Sequence, residues 1–258
     1  MPPRFTRPGD GCDGRFDLAP GRRLGRSYEV EACLGGGVEG EVYRVRDRFT
    51  GIVRAAKLYD PGPDAGGRRR APGRRRSVRH AQKLETLRHC PVVLQYLHLE
   101  LVTVRGQEVH ALISELCPGE PMQAWIDRHP GGRVAPFVAL TVLHRLVRGL
   151  EDVHNAGEYH SDVHTENILL APRGIDFGLK LIDFYDWGRP TRAKMRQDVL
   201  GAIDVLHDLL GGRSRPKTLP PEVTYVLANR RTERILKRFP TAAALRHHLE
   251  TFVGPTVF

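Results

Sequence analysis

Near Glu115 the chain changes its period. Upstream, the runs YEVEACL, EVYRVRD and IVRAAKLY alternate apolar and polar residues, and are punctuated by a Gly-rich turn and by Thr50-Gly51. These read as antiparallel strands. A helix is expected over residues 77–89, where Val78, Ala81, Leu84 and Leu87 keep helical spacing and Pro91 marks the stop. Two more strand-like runs, VVLQYLHLELVTV and EVHALISEL, follow. Downstream, the apolar residues recur at three- and four-residue steps. A short amphipathic piece runs from Met122 to Arg128, and Phe137, Leu140, Leu143, Leu146, Val147, Leu150 and Val153 form a stripe over residues 136–155. The strand-like NILL and GLKLIDF come next, then helices near 196–210, 220–230 and 241–252. This order predicts an α+β chain of two lobes: a flexible lead-in (1–27), a β-rich lobe with one helix (28–115) and a mostly helical lobe (116–258).

Composition narrows the function classes. No run approaches the ~18 uninterrupted apolar residues of a bilayer helix, so no membrane span is expected. The N-terminus lacks the apolar segment of a secretory signal. Cys12, Cys33, Cys90 and Cys117 form no CxxC pair, which suggests neither a disulfide framework nor a zinc site and points to a cytoplasmic location. The net charge of +10 is uneven, since residues 1–80 hold 18 Lys and Arg against 10 Asp and Glu. Six of those arginines lie in RRRAPGRRR, residues 68–76. This stretch reads either as a solvated loop or as a docking segment for an acidic partner, with nucleic acid as a lesser alternative. No aromatic residue interleaves the arginines, so base stacking has no support.

Three motifs carry chemistry. Gly35, Gly37, Gly40 and Val42 make G-x-G-x-x-G-x-V between two strands, a pattern that a simple hairpin with glycines at positive φ would also satisfy. Fifteen residues after Val42, Lys57 stands in the strand R54-A-A-K. Further on, Y159-H-S-D-V-H-T-E-N holds His160, Asp162, His164 and Asn167, followed by NILL. His160 and His164 have no third ligand at zinc spacing. Two Asp-Phe pairs then occur, at Asp176 and Asp183. Asp176 leaves only nine residues after Asn167 for two strands and a turn, whereas Asp183 allows NILL to pair with FGLKLI, so Asp183 is chosen and Asp176 is read as a turn residue.

Taken together, these motifs resemble the protein kinase superfamily in its bacterial Ser/Thr form, over roughly residues 28–252. The resemblance implies a bilobal fold that uses ATP and Mg2+ to phosphorylate a protein Ser or Thr hydroxyl. It implies that Gly35, Gly37, Gly40 and Lys57 hold the phosphates. Adenine would lie against Val42 and Ala55, with the backbone of Glu115 and Cys117 supplying its hydrogen bonds and Ser114 guarding the back of the pocket. Asp162 would orient the hydroxyl, Asn167 and Asp183 would bind metal, and His160 and Asp198 would support the catalytic loop.

Four departures qualify the resemblance. His80 stands where the helix Glu that pairs with the phosphate-holding Lys is expected, and Glu85 faces elsewhere. Ser161 replaces the Arg that reads a loop phosphate, and only fourteen residues separate Asp183 from Asp198, too few for a long activation segment. His164 replaces the usual Lys, a feature that looks like the aminoglycoside and choline phosphotransferases and suggests a rate that weakens as pH rises. A small-molecule phosphotransferase and a nucleotide-binding pseudokinase are therefore the rival readings.

Overall fold

The computed structural model describes residues 15–37, 39–61, 72–174, 176–184, 188–228 and 231–252. They divide into two compact units, one built from positions up to Arg88 together with Leu94–Cys117, the other from His89–Val93 and the chain from Pro118 onward.

The first unit is an antiparallel sheet with one helix. Its strands are β1 (Arg23–Leu24), β2 (Tyr28–Gly37), β3 (Gly40–Asp47), β4 (Val53–Tyr59), β5 (Tyr96–Val104) and β6 (Gln107–Glu115), in the order β1-β2-β3-β4-β6-β5. Helix α1 (Pro72–Thr86) lies between β4 and β5 in sequence. Alternation sorts the side chains as expected: Val30, Tyr43, Val45, Ala56, Leu58, Ala111 and Ile113 meet in one core. On the outer face, Arg44 and Arg46 clasp Glu31 across β2 and β3 at 2.6 and 2.5 Å. At the β3–β4 turn the Asp47 carboxylate accepts the N–H groups of Thr50 and Phe49, and these bonds hold its pKa below the ordinary aspartate value.

Three expectations change here. The helix begins at Pro72, not at residue 77, so Arg74, Arg75 and Arg76 lie within α1 rather than in a loop; Arg68, Arg69 and Arg70 lie outside the described residues. Residues 15–27 are not a loose lead-in. Phe16, Leu18 and Leu24 are buried in the core, and the buried Glu41 carboxylate accepts the backbone N–H groups of Arg15 and Phe16 at 3.0 and 3.2 Å. Glu41 also accepts the Tyr43 hydroxyl, which in turn receives Leu18 N–H, and burial beside that carboxylate pushes the Tyr43 pKa up. Finally, Cys33 is disulfide-bonded, which corrects the expectation that the cysteines form no bridge; Cys90 and Cys117 are free thiols.

The second unit is mainly helical. Strand β7 (Glu120–Pro121) and helices α2 (Met122–Asp127) and α3 (Pro136–Asn155) lead to a small sheet in which β7, β8 (Ile168–Arg173) and β9 (Asp176–Leu181) lie in that order. Helices α4 (Arg192–Leu209), α5 (Pro221–Leu227), α6 (Thr232–Arg238) and α7 (Ala242–Thr251) complete it. Helix α3 packs on α4 and α7 through Val142, Leu143, Leu146, Val147, Leu150 and Val153, and truncating one such Leu to Ala costs ~2–5 kcal/mol. Phe137, which the stripe included, is instead exposed at the helix start.

Residues 89–93 leave the first unit to join this one. Val92 O accepts Leu181 N–H at 2.7 Å and Val93 forms a parallel bridge with Leu181. Gly149 on α3 makes room for the segment: a Cβ there would lie 2.7 Å from the Val92 side chain. Among the described residues no helix is long and apolar enough to cross a membrane.

Candidate active site

In the second unit, the loop from Tyr159 to Asn167 is built around one buried carboxylate. Asp198 sits on α4 with no solvent exposure, and its oxygens accept Ser161 N–H at 2.6 Å, His160 N–H at 2.8 Å and His154 Nε2 at 3.0 Å. Paired donors of this kind are how a buried charge is tolerated. The bonds hold Ser161 at φ 73°, a left-handed conformation that an unsupported serine rarely adopts. One turn along α4, Gly201 lets the loop settle: a Cβ there would stand 2.6 Å from Val163 O.

His160 is locked at both ring nitrogens. Nδ1 accepts Asp162 N–H at 3.2 Å, so the proton rests on Nε2, which donates to Ile182 O at 2.8 Å. The Phe184 ring lies 4.4 Å from the His160 ring, fixing the residues on both sides of Asp183. Asp183 itself follows the β8–β9 hairpin by two residues and has φ 57°. Asp176 begins β9, opposite Arg173, and pairs with Arg145 at 2.7 Å. Asp176 is thus the first residue of a strand and not the turn residue expected, while Asp183 lies just beyond the hairpin.

Asp162 and Asn167 face each other. Asn167 Nδ2 donates to Asp162 O at 3.0 Å and to Asp162 Oδ2 at 3.2 Å. His164 Nδ1 accepts Glu166 N–H at 3.2 Å and thereby caps the short 3₁₀ turn Thr165–Asn167, leaving Nε2 as the protonated nitrogen, 3.4 Å from Asp162 Oδ2. That hydrogen bond holds the Asp162 carboxyl below its ordinary pKa, against the opposing effect of burial. His164 thus acts on the carboxylate.

The chemistry of the donor set fits a hard cation. Asn167 Oδ1 is buried and has no hydrogen-bond partner, an expensive state for a carbonyl oxygen unless something else occupies its lone pairs. Oxygen donors from Asn167 and Asp183 suit Mg2+, which keeps several waters and needs few protein ligands. Among the described residues no group of three or more His, Cys, Asp or Glu is arranged to hold a metal.

The first unit supplies a second set of residues. Val42, Lys57 and Leu112 are in register across β3, β4 and β6, as are Ala55 and Ser114, and all five point away from the core that holds Tyr43, Ala56 and Ile113. Gly35 pairs with Val42, and Gly37 with Gly40 at the hairpin tip. Gly40 (φ 144°) permits no side chain, since a Cβ would stand 1.8 Å from Leu58 O. Glu115 N–H donates to Gln95 O at 2.9 Å and its carboxylate accepts Gln95 N–H at 2.8 Å; Cys117 is half-buried.

Lys57 meets the carboxylate of Glu39 in the Gly-rich turn. Its Nζ is 3.0 Å from Glu39 Oε2 and 5.4 Å from the centre of the Tyr59 ring. His80 instead meets the Tyr59 hydroxyl through Nδ1. Sequence reasoning missed Glu39, Tyr59 and His154. Glu39 was the legible one, as an acidic residue between Gly37 and Gly40, but nothing local showed which cation it would reach.

Comparison with known proteins gives the same picture. The protein kinase domain family matches residues 28–199. CBL-interacting protein kinase 29 of Oryza sativa subsp. japonica is 31% identical over 192 residues, which cover 71% of this chain and 40% of the relative. Cyclin-dependent kinase 14 of Xenopus tropicalis is 31% identical over 161 residues, 61% of this chain and 34% of the relative, and human Myosin-IIIa is 28% identical over 178 residues, 67% and 10%. The chain thus spans 40% or less of the length of these relatives. The crystal structure of the Mycobacterium tuberculosis PknI kinase domain superposes with a TM-score of 0.61 at 20% identity, covering 90% of this chain and 98% of that one, a likeness of fold. The β-sheet lobe with its one helix, the helical lobe and the match across both place this chain in the protein kinase domain family.

Proposed function

We propose that this chain transfers the γ-phosphoryl group of ATP to a Ser or Thr hydroxyl of a protein, with Mg2+ as the metal. Members of the family typically use ATP and Mg2+ and act on proteins. The observation that carries the reading is the Asp162–Asn167 pair, braced by a buried carboxylate and ending in an orphaned Asn167 oxygen. Such bracing is what positional catalysis needs, because the protein contributes alignment and charge rather than covalent chemistry.

In this reading, residues 28–115 bind the nucleotide and residues 116–258 carry out the transfer. Lys57 and the turn at Gly35, Gly37 and Gly40 hold phosphates, while Val42, Ala55 and the backbone at Glu115 and Cys117 hold adenine. Asn167 and Asp183 hold the metal, which neutralises charge on the phosphates. The acceptor oxygen bonds to the γ-phosphorus as the bond to the β–γ bridging oxygen breaks, and the hydroxyl proton passes to Asp162. His160 and Asp198 keep the loop in place.

Two observations favour a second reading, a small-molecule phosphotransferase: His164 lies against the Asp162 carboxylate, and α4 starts at Arg192, close behind Asp183 in sequence. The test is incubation with γ-labelled ATP and Mg2+, using the parent and Asp162→Ala. Label on protein that falls at least 100-fold in the variant is expected; turnover only with a small hydroxylated acceptor would select the second reading. Nucleotide binding without transfer to either would refute both in favour of a pseudokinase.

A further inference from the structure

The stretch leading into Asp198 carries charge of one sign. Residues 188–197, GRPTRAKMRQ, hold Arg189, Arg192, Lys194 and Arg196 and no Asp or Glu. Its path is fixed against the start of the catalytic loop. The Tyr159 hydroxyl donates to Gly188 O at 2.7 Å, and Lys194 Nζ donates to Arg189 O at 2.7 Å and to the same hydroxyl at 3.3 Å. Thr191 caps α4 by accepting Lys194 N–H at 3.3 Å, and just past Arg196 the Asp198 carboxylate accepts His160 N–H and Ser161 N–H. Both ends of the stretch are thus bonded to the loop that holds Asp162.

Lys194 serves as an internal anchor, with Nζ 4.6 Å from the centre of the Tyr159 ring. The other three cations face water. Arg189, Arg192 and Arg196 are exposed, and among the described residues their side chains make no ion pair or hydrogen bond. Arg192 and Arg196 lie one turn apart on one face of α4. Elsewhere in the same unit arginines meet carboxylates, as in Arg128 with Glu120, Arg145 with Asp176 and Arg246 with Glu151. Exposed Arg213, Arg231 and Arg234 sit farther along the chain, in the turn after α4 and around the start of α6. A fixed backbone that carries free guanidinium groups is a surface prepared for carboxylates, which the planar fork of Arg matches.

We infer that Arg189, Arg192 and Arg196 form a docking surface for an acidic flank of the protein acceptor, so that the preferred hydroxyl stands in a segment rich in Asp and Glu. The inference deepens the phosphotransfer reading above and rests on it. Three charges tied to the catalytic loop match a short anionic peptide, whereas nucleic acid draws on a longer run of phosphate contacts. Exposed pairs are weak one by one, roughly two- to threefold each and about tenfold together, and salt screens them. Because such contacts hold substrate and transition state alike, they act on KM and not on kcat.

Anisotropy of fluorescein-labelled Ser peptides on the full chain reads docking, and γ-labelled ATP with Mg2+ reads transfer to the same peptides. A peptide flanked by Glu is expected to bind about tenfold more tightly than its Gln counterpart, and to be phosphorylated with a KM lower by about the same factor. The combined variant Arg189→Gln, Arg192→Gln and Arg196→Gln is expected to lose that preference while handling the Gln peptide within about twofold of the parent. Arg213→Gln, Arg231→Gln and Arg234→Gln together remove equal charge and are expected to keep the preference. If the first combination does not fold, Arg189→Gln alone, at a position outside any helix, decides through a loss of roughly two- to threefold. A parent that treats both peptides alike, a first combination that keeps the preference, or a second that abolishes it would overturn this inference and leave phosphotransfer intact. A Glu peptide that binds through the three arginines yet takes no label would keep the docking surface and overturn the phosphotransfer reading.

Discussion

Replacing Asp198 with Asn is the sharpest test of how the catalytic loop is held. The carboxylate is fully buried and serves three donors, Ser161 N–H on one oxygen and His160 N–H with His154 Nε2 on the other. An amide keeps the shape but has one oxygen. Turned to serve the pair, it sets its NH2 against Ser161 N–H. That loses one hydrogen bond to a charged group, worth ~1.5–3 kcal/mol, and orphans a buried donor at a cost of ~1–3 kcal/mol. The opposite flip orphans His160 N–H and His154 instead. We expect Asp198→Asn to lose about 3–5 kcal/mol, a large part of the ~5–15 kcal/mol that holds a typical domain folded. Urea unfolding followed by far-UV circular dichroism reads this out, because the unit that holds the loop is mainly helical. The neighbouring exposed Gln197→Ala is the control and should stay within about 0.5 kcal/mol. A loss below about 1 kcal/mol in Asp198→Asn would refute the claim that this carboxylate braces the loop.

Two further outcomes follow from the same geometry. Gly201→Ala gains up to ~1 kcal/mol of helix propensity, yet its Cβ would press on Val163 O, so we expect a net destabilisation of about 1–3 kcal/mol in thermal melting; a rise in Tm would contradict the close approach. The His164 contact has a pH signature. Because the folded Asp162 pKa lies below its ordinary value, the stabilisation it reports is present above pH about 4 and is lost as pH falls through the folded pKa. The stability difference between the parent and His164→Ala should therefore shrink between pH 5 and 3, and a difference independent of pH would show that His164 does not act through the carboxylate.

What could be read from the sequence follows how far each contact reaches along the chain. The β8–β9 hairpin was legible because strand alternation and the interval from Asn167 to Asp183, which leaves room for two strands and a turn, are local. The span of α3 was legible for the same reason, with its apolar stripe set by helical period alone. The start of α1 was not, because Gly73 and three cations at the positive end of the helix dipole argue locally against a helix start there, while the close approach of Gly73 to Asp60 O, where no side chain would fit, is a contact that no local pattern announces. Phe16 and Leu18 looked like a loose tail because their backbone partners, the Glu41 carboxylate and the Tyr43 hydroxyl, lie 25 positions away, and no local pattern announces that Glu41 is buried. The same limit applies to Lys57. His80 stands where the resemblance implies a carboxylate, and the contact that Lys57 makes with Glu39, eighteen positions away, comes from the way β3 folds back on β4. A missing partner in one motif is therefore evidence to search the elements adjoining it in the sheet before concluding that the charge stands alone.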